Sequence, residues 1–559
     1  MNKSSKKKVV SILIMVVAAF CMLQMAVIAA EEFSTALTPE QVAELSSDAW
    51  IAEQQSVEEA IYAEYEKGNY TLKDPLIKVD PFGAAPLTAL VIFDTEEPTK
   101  VDLLVKGKSS KVDIKHSFTQ YSTHHEIPVY GLYEDFNNTV TLTAYNEDGK
   151  KEQNNISIKT APLADNGELD GQNARITVKD ESEMVDGLTF TTTGWPMEYT
   201  QVVAYDANGD IRCVLPKTGT WTWGIRRLDN GNIYVTSFKH QRDMYYDPGF
   251  LEIDLMGKIH KEYLRNGVHH DVRKLANGNY LVVCEKAGRD TTEDYIVELD
   301  GKTGSKVREW DMKEILKMDN YVGNPAYNYN THDWLHINSI WPVPGEDAIL
   351  FSGRHQDGFF KINLAANNGK GELVWAMTAP DEDFSEEMSA KLLKPIGEIG
   401  KDFEYVWGQH AISMLPDGKI FVFDNGNGRS KDPDNLIDNN NNYSRAVIYL
   451  VDEKNMTVEQ LWQYGKERGS ELYSGFICDV DYLGPNHYLI DFGGIGGFSG
   501  TGKSFATIVE IKDNVVVWEM KLENTNKYRA ERMQAYEFDK EYQLTKQPGV
   551  QLGELVTTE

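Results

Sequence analysis

His269-His270-Asp271-Val272-Arg273-Lys274-Leu275-Ala276-Asn277-Gly278-Asn279-Tyr280-Leu281-Val282 reads as a strand, a turn at Asn277-Gly278 and a second, apolar strand. Asn-Gly is a strong hairpin signal, because both residues accept the left-handed backbone that a tight turn demands. The same phrase recurs as Leu228-Asp229-Asn230-Gly231-Asn232-Ile233-Tyr234-Val235 and as Leu415-Pro416-Asp417-Gly418-Lys419-Ile420-Phe421-Val422. Looser forms stand at Trp341-Pro342-Val343-Pro344-Gly345 and Leu483-Gly484-Pro485-Asn486.

Between these markers runs a second hairpin phrase: alternating apolar residues, an acid or Asn, Gly, then a strand ending near Trp. Its copies begin at Val202, Phe250, Ile296, Phe359, Val447 and Thr507, and Trp310, Trp375, Trp462 and Trp518 close the later ones. Two hairpins per unit make a four-stranded sheet. Six such sheets in radial array predict an all-β fold, a six-bladed β-propeller over residues 166–559, with two stacked sandwiches as the alternative. The markers are unevenly spaced. The extra length falls in residues 312–335, 379–406 and 429–444, and the first two insertions precede inner strands, which predicts loops around the mouth of the channel.

Residues 31–165 differ. A helical pattern covers 42–67, and short alternating strands follow at 87–93, 100–106, 139–145 and 155–159. This predicts a small N-terminal β-sandwich with a leading helix, joined by a polar linker at 164–173. Residues 1–30 read as an export signal. Lys3, Lys6, Lys7 and Lys8 precede an apolar run that ends at Ala29-Ala30 before Glu31-Glu32. An uncleaved anchor is the other reading, since roughly 20 apolar residues span a bilayer. Either way the chain is exported, periplasmic or extracellular. Export permits disulfides, yet Cys213, Cys284 and Cys478 lie far apart and read as small buried residues.

The formal net charge of −30 over 559 residues excludes the basic footprint of a nucleic-acid binder. An anionic substrate would need a local cluster of donors against that field. Such a cluster emerges when the inner strands are superimposed. Five residues before each marker stand Trp223, His270, His336, His410 and Cys478. Three consecutive units therefore place one of only 12 histidines at the start of the innermost strand. Radial packing would bring these imidazoles together at one end of the channel. Three imidazoles suggest zinc, but no carboxylate follows the pattern, and Arg354 comes at the end of the next strand. A guanidinium among imidazoles suits a sulfate-like or phosphate-like oxyanion. Asn338, two residues after His336, adds a neutral donor. One His could then attack the central atom while the others hold its oxygens.

His269-His270-Asp271-Val272, Asp333-Trp334-Leu335-His336-Ile337-Asn338-Ser339, Ser352-Gly353-Arg354-His355, and Trp407-Gly408-Gln409-His410-Ala411 with Phe423-Asp424-Asn425-Gly426 together resemble the motifs of the bacterial arylsulfate sulfotransferases. The resemblance covers nearly the whole chain, down to Tyr528-Arg529-Ala530. It implies transfer of a sulfuryl group from a phenolic sulfate ester to a phenol, ping-pong, with no nucleotide donor, cofactor or metal. Carried over by position, it implies His410 as the nucleophile that becomes sulfurylated, and His270, His336, Arg354 and Asn338 as substrate-binding residues. Protonated His270 and His336 would keep His410 neutral by repulsion. Members of the family can be dimers, which leaves a homodimer open.

One departure stands out: no Cys lies between Cys284 and Cys478, so the disulfide some members carry before the catalytic histidine has no counterpart. Rival readings are a metal-dependent propeller hydrolase, an aryl sulfatase with water as acceptor, and a non-enzymatic binding propeller. The Tyr-rich stretch 321–329 is a candidate wall for an aryl group.

Overall fold

The computed structural model describes residues 39–163, 174–193, 201–216, 224–239, 246–286, 288–317, 332–381, 384–497, 504–544, 546 and 548–555. The stretches expected to be an export signal (1–30) and a linker (164–173), together with Trp223 and 321–329, lie outside the described residues. Among the described residues the fold is β-strand apart from the 18-residue helix Asp48–Tyr65 and short helical segments.

Each Leu-x-Asn/Asp-Gly phrase folds the same way. Leu275 N–H donates to Asn279 O at 2.7 Å and Gly278 N–H donates to Leu275 O at 2.9 Å, with Gly278 at φ 88°. Leu228/Gly231 and Leu415/Gly418 close identically. Glycine is required there because the left-handed backbone crowds a Cβ. Such turns link antiparallel runs of four strands. One is Ile337–Pro342, Ala348–Gly353, Gly358–Asn363 and Glu372–Thr378. A second is His410–Met414, Ile420–Asp424, Arg445–Asp452 and Thr457–Tyr464. A third is Asp479–Gly484, His487–Ile495, Phe505–Lys512 and Val515–Glu523.

Two further runs share one long strand. Ile259–Lys274 is the last strand after Ile225–Arg227, Ile233–Thr236 and Asp247–Ile253, and the first before Tyr280–Cys284, Tyr295–Leu299 and Lys306–Asp311. The remaining run begins with a strand from the far end of the chain. Arg529–Met533 pairs with Leu188–Thr192, followed by Val203–Tyr205 and Ile211–Val214. The first strands pack on one another in succession, and Arg529–Met533 touches both Asp479–Gly484 and Ile225–Arg227.

The recurring tryptophans stitch neighbouring runs. The Trp310 indole donates to Leu364 O at 3.2 Å, Trp375 to Glu453 Oε1 at 2.8 Å, Trp462 to Asn514 Oδ1 at 2.6 Å and Trp518 to Ala207 O at 3.1 Å. Each bond lands at the outer hairpin turn of the next run. The last joins the final run to the first. Trp310, Trp375 and Trp518 are buried, so a paired indole N–H removes the cost of leaving that donor dry.

The N-terminal region departs from expectation in three ways. The helical pattern splits at Ser46-Ser47 into Pro39–Leu45 and Asp48–Tyr65, where Ser47 N–H donates to the Glu262 carboxylate at 3.0 Å. The strands expected at 87–93 and 100–106 are one strand, Ala89–Val105. A strand not anticipated, Ile114–Val129, pairs along its length. Its N-terminal half is largely exposed and polar, so the apolar alternation that marks a strand in sequence is diluted. Leu76–Val79, Asn137–Asn146 and Lys151–Lys159 complete one five-stranded sheet. Ala89, Val91 and Phe93 from one half of the long strand share a core with Val101, Leu103 and Val105 from the other. The helix Asp48–Tyr65 docks on the turn before Ile259: Gln54 Nε2 donates to Gly257 O at 2.8 Å, and Lys258 meets Glu58 at 2.7 Å in a buried pair.

The insertion at 379–406 does not all gather at a channel mouth. Lys394 and Pro395 pair in parallel with Thr457 and Val458 of the outermost strand. Leu393, Phe403, Tyr405 and Val406 are buried against Tyr449 and Val458. Arg445, fully buried and paired to Asp424 at 2.8 Å, donates to the carbonyls of Glu404 and Tyr405. Packing and this guanidinium hold the segment where no cysteine is present.

Candidate active site

The first strands of three neighbouring runs slip register at the histidine positions: between Val268 and Val272, between Ile337 and Ser339, and between His410 and Ser413. His270 and His336 adopt φ of 58° and 54°, and Ala411, just after His410, 56°. Such backbone costs of order 1–3 kcal/mol at a non-glycine residue and persists only where its surroundings impose it. A bulge re-aims a side chain at a strand end. Here it turns three imidazoles toward a common point. The rings of His270 and His336 lie 4.9 Å apart, and the Tyr528 ring lies 6.1 Å from His270 and 6.4 Å from His410.

His336 is the charged member. Burial opposes protonation, but Glu293 Oε2 at 2.7 Å and Asp333 Oδ2 at 2.8 Å, both facing Nδ1, outweigh it and hold the ring's pKa at about 9. Asp333 in turn is kept well below the carboxylate range, burial notwithstanding, by His355, His336 and Arg354. His270 is the opposite case: burial and the His336 charge push its pKa far down. The expectation that both neighbours of His410 are protonated therefore fails for His270, because Glu293 Oε2 stands 3.9 Å from its Nδ1 but 2.7 Å from that of His336, which Asp333 also contacts. His269, with Nδ1 at 2.7 Å from Nδ1 of His270, is lowered by burial to about 4.

Arg354 is oriented by its neighbour. The guanidinium donates to His355 Nε2 at 2.9 Å. His355 must then carry its proton on Nδ1, which donates to Asp333 O at 2.6 Å. Burial holds His355 neutral, at about 3. Arg354 N–H donates to His336 O at 3.1 Å, tying the arginine to the histidine strand. Burial first, and then the Arg354 charge, push His410 far below its ordinary pKa, so its ring is neutral. Nδ1 of His410 lies 2.7 Å from Asn425 Oδ1.

The structure thus brings His270, His336, Arg354 and His410 into one charged neighbourhood. Asn338 takes a different place. Its Nδ2 donates to Gln409 O at 2.7 Å, so the amide bonds the backbone just before His410. Cys478 is buried, with burial raising its thiol far above the usual range, and Cys213, Cys284 and Cys478 are all free.

The sequence reading that no carboxylate accompanies the histidines is overturned by Glu293 and Asp333. Asp333 stands in a motif and could have been found three residues before His336. Glu293 has no repeat position to announce it. Tyr528, just before the closing strand, comes from the other end of the chain, so no local pattern places it beside His270. His269, His270 and Glu293 on one side, and Asp333, His336 and His355 on the other, bring donor atoms within 4.8 Å of one another, a spacing a metal ion could use. The His336 charge and Arg354 beside it oppose a cation and favour an oxyanion.

Comparison with known proteins agrees with this chemistry. Residues 174–534 match the family model described as Arylsulfotransferase (ASST), and residues 76–161 match the Arylsulfotransferase Ig-like domain. The arylsulfate sulfotransferase AssT of Escherichia coli O6:H1 (strain CFT073) is 28% identical over 517 residues, covering 74% of this chain and 84% of the relative. The AssT of Lelliottia amnigena is 28% identical over 541 residues, covering 78% and 87%. Among solved structures, TolB from Acinetobacter baumannii aligns with a TM-score of 0.36 at 12% identity, covering 72% of this chain and 81% of its own.

Proposed function

The chain belongs to the arylsulfotransferase family, and from that premise we propose that it transfers a sulfuryl group from a phenolic sulfate ester to an acceptor phenol through His410. The observation that carries the proposal is a neutral, buried imidazole at His410 beside Arg354 and a cationic imidazole at His336. A neutral ring keeps a lone pair for attack, and fixed positive donors match the charge that gathers on sulfuryl oxygens.

In the first half-reaction a His410 ring nitrogen bonds to sulfur as the bond from sulfur to the phenolic oxygen breaks. His336 gives its proton to the leaving phenolate. In the second, the acceptor phenol returns a proton to His336, its oxygen bonds to sulfur and the bond to His410 breaks. Both histidines end as they began. Arg354 and His270 hold the sulfuryl oxygens. Asn338 supports this set through the backbone before His410. Tyr528, whose phenol burial keeps protonated, closes the site between His270 and His410. The tryptophan stitches and the closing strand Arg529–Met533 support a ring of six four-stranded blades. We read residues 1–30 as an export signal, 31–165 as an N-terminal β-domain and 166–559 as the catalytic propeller.

His336 as the acid sets a pH dependence. The ring is protonated below about 9, so donor cleavage falls as pH rises through that value. Glu293→Gln removes one of the two charges that raise it. Its basic limb should move to lower pH, read as kcat/KM for phenol release against pH. An unmoved limb would assign the acid elsewhere.

The proposal is tested by intact-protein mass after brief mixing with a chromogenic aryl sulfate, without acceptor and in the presence of a chelator. A gain of one SO₃, discharged by added phenol, is the expected result. No adduct and no released phenol would overturn it and return the two donor groups to a metal reading. Phenol release without an adduct would point to water as acceptor.

A further inference from the structure

We propose that Asn425 is a positioning residue that holds His410 in the tautomer protonated on Nδ1, leaving Nε2 as the bare nitrogen that attacks sulfur. This deepens the reading of His410 as nucleophile and rests on it for the last step only.

The two ends of the Asn425 amide differ in hydrogen-bond role: the NH₂ donates and the oxygen accepts. Asn425 Nδ2 lies 2.8 Å from Ser474 O and 3.0 Å from Ile477 O. Carbonyl oxygens only accept, so the atom facing them is the NH₂ end. The other end, Oδ1, is then the atom 2.7 Å from His410 Nδ1. An amide oxygen also only accepts, so the proton of that bond belongs to Nδ1. Gly408 O, 3.2 Å from the same nitrogen, is a second acceptor. Nδ1 thus meets two acceptors, and a neutral ring has one proton to give.

The backbone that carries this amide is tied to the same segment. Ser444 Oγ donates to Asn425 O at 2.7 Å and accepts from Ser474 N–H at 2.8 Å. The carbonyls that fix Asn425 sit at the start of the next run, before Asp479–Gly484, where Ile477 and Cys478 take φ of 53° and 87°. The left-handed backbone that presents histidines in three runs serves, in the fourth, to aim carbonyls at this amide.

A carboxylate at 425 would fix the same tautomer but also favour the imidazolium. Arg354, His336 and Arg529 face His410 as cations and Tyr528 as a neutral phenol. A neutral acceptor orients the ring without adding charge, which keeps the lone pair available.

The test is nitrogen-15 NMR of histidine-labelled full-length protein, with His410 assigned by its disappearance in His410→Gln. We expect a protonated Nδ1 and a bare Nε2 in the resting enzyme. A proton on Nε2 would overturn the proposal whatever the activity. A failed mass adduct with the expected tautomer would instead sink only the sulfuryl-transfer reading. Asn425→Asp should move the acidic limb of phenol release to higher pH, because a charged partner raises the His410 pKa. Asn425→Leu should lower kcat about 10²-fold, since loss of an orienting partner misplaces the proton. An unmoved limb in Asn425→Asp, or an unchanged kcat in Asn425→Leu, would count against the assignment.

Discussion

His410→Ala should abolish transfer, with phenol release falling by on the order of 10⁴-fold or more and no sulfuryl adduct in the intact mass. The reason lies in what the neighbours cannot do. His336 is charged, with Nδ1 committed to Glu293 and Asp333. His270 is neutral, but its Nδ1 is 2.7 Å from Nδ1 of His269, so that nitrogen is already engaged. Neither offers the free, oriented lone pair of His410. The variant keeps Arg354, His336 and His270, and should still bind an aryl sulfate. Binding measured by calorimetry with a slow donor therefore separates loss of nucleophile from loss of site. Release that survives at wild-type rate would mean that water attacks sulfur directly, and the histidine would be a binding group only.

Arg354→Lys should lower kcat/KM by about 10²–10³-fold while leaving the acidic limb of the pH profile in place. Removal of one preorganised donor to a developing oxyanion costs that much in comparable sites. Lysine keeps the charge but not the planar fork, and it cannot reproduce the bond to His355 Nε2 that aims the guanidinium. Arg354→Met supplies the contrast. It removes both fork and charge, and the charge is one of the groups that depress His410. The His410 pKa should rise, so the acidic limb should move to higher pH, in addition to the loss of rate. Equal pH profiles in the two variants would show that the charge does not reach His410.

The hairpin units were legible because their signals are local. Asn277-Gly278 specifies its turn from two adjacent residues, and alternation specifies the strand beside it. The histidine register was legible because His270, His336 and His410 occupy one repeat position. The tryptophans were visible as punctuation, but their bonds to Leu364, Glu453, Asn514 and Ala207 were not. The strand Ile114–Val129 and the continuity of Ala89–Val105 were missed because exposed polar positions and the charged stretch at 94–97 break the apolar pattern.

The chemistry of the site divides along the same line. Which side chains stand at the strand starts follows from the sequence alone, because backbone periodicity is a property of neighbours in the chain. Which of them carries a proton is a matter of the tertiary structure. His270 and His336 have the same repeat position, yet one is neutral and the other charged. The difference is Glu293 and Asp333 within 2.8 Å of His336 Nδ1, and burial that Glu293, 3.9 Å away, does not offset at His270. Coulomb energy and desolvation depend on distance through space. The groups that set them here lie tens to hundreds of residues apart, from Glu293 to Arg529.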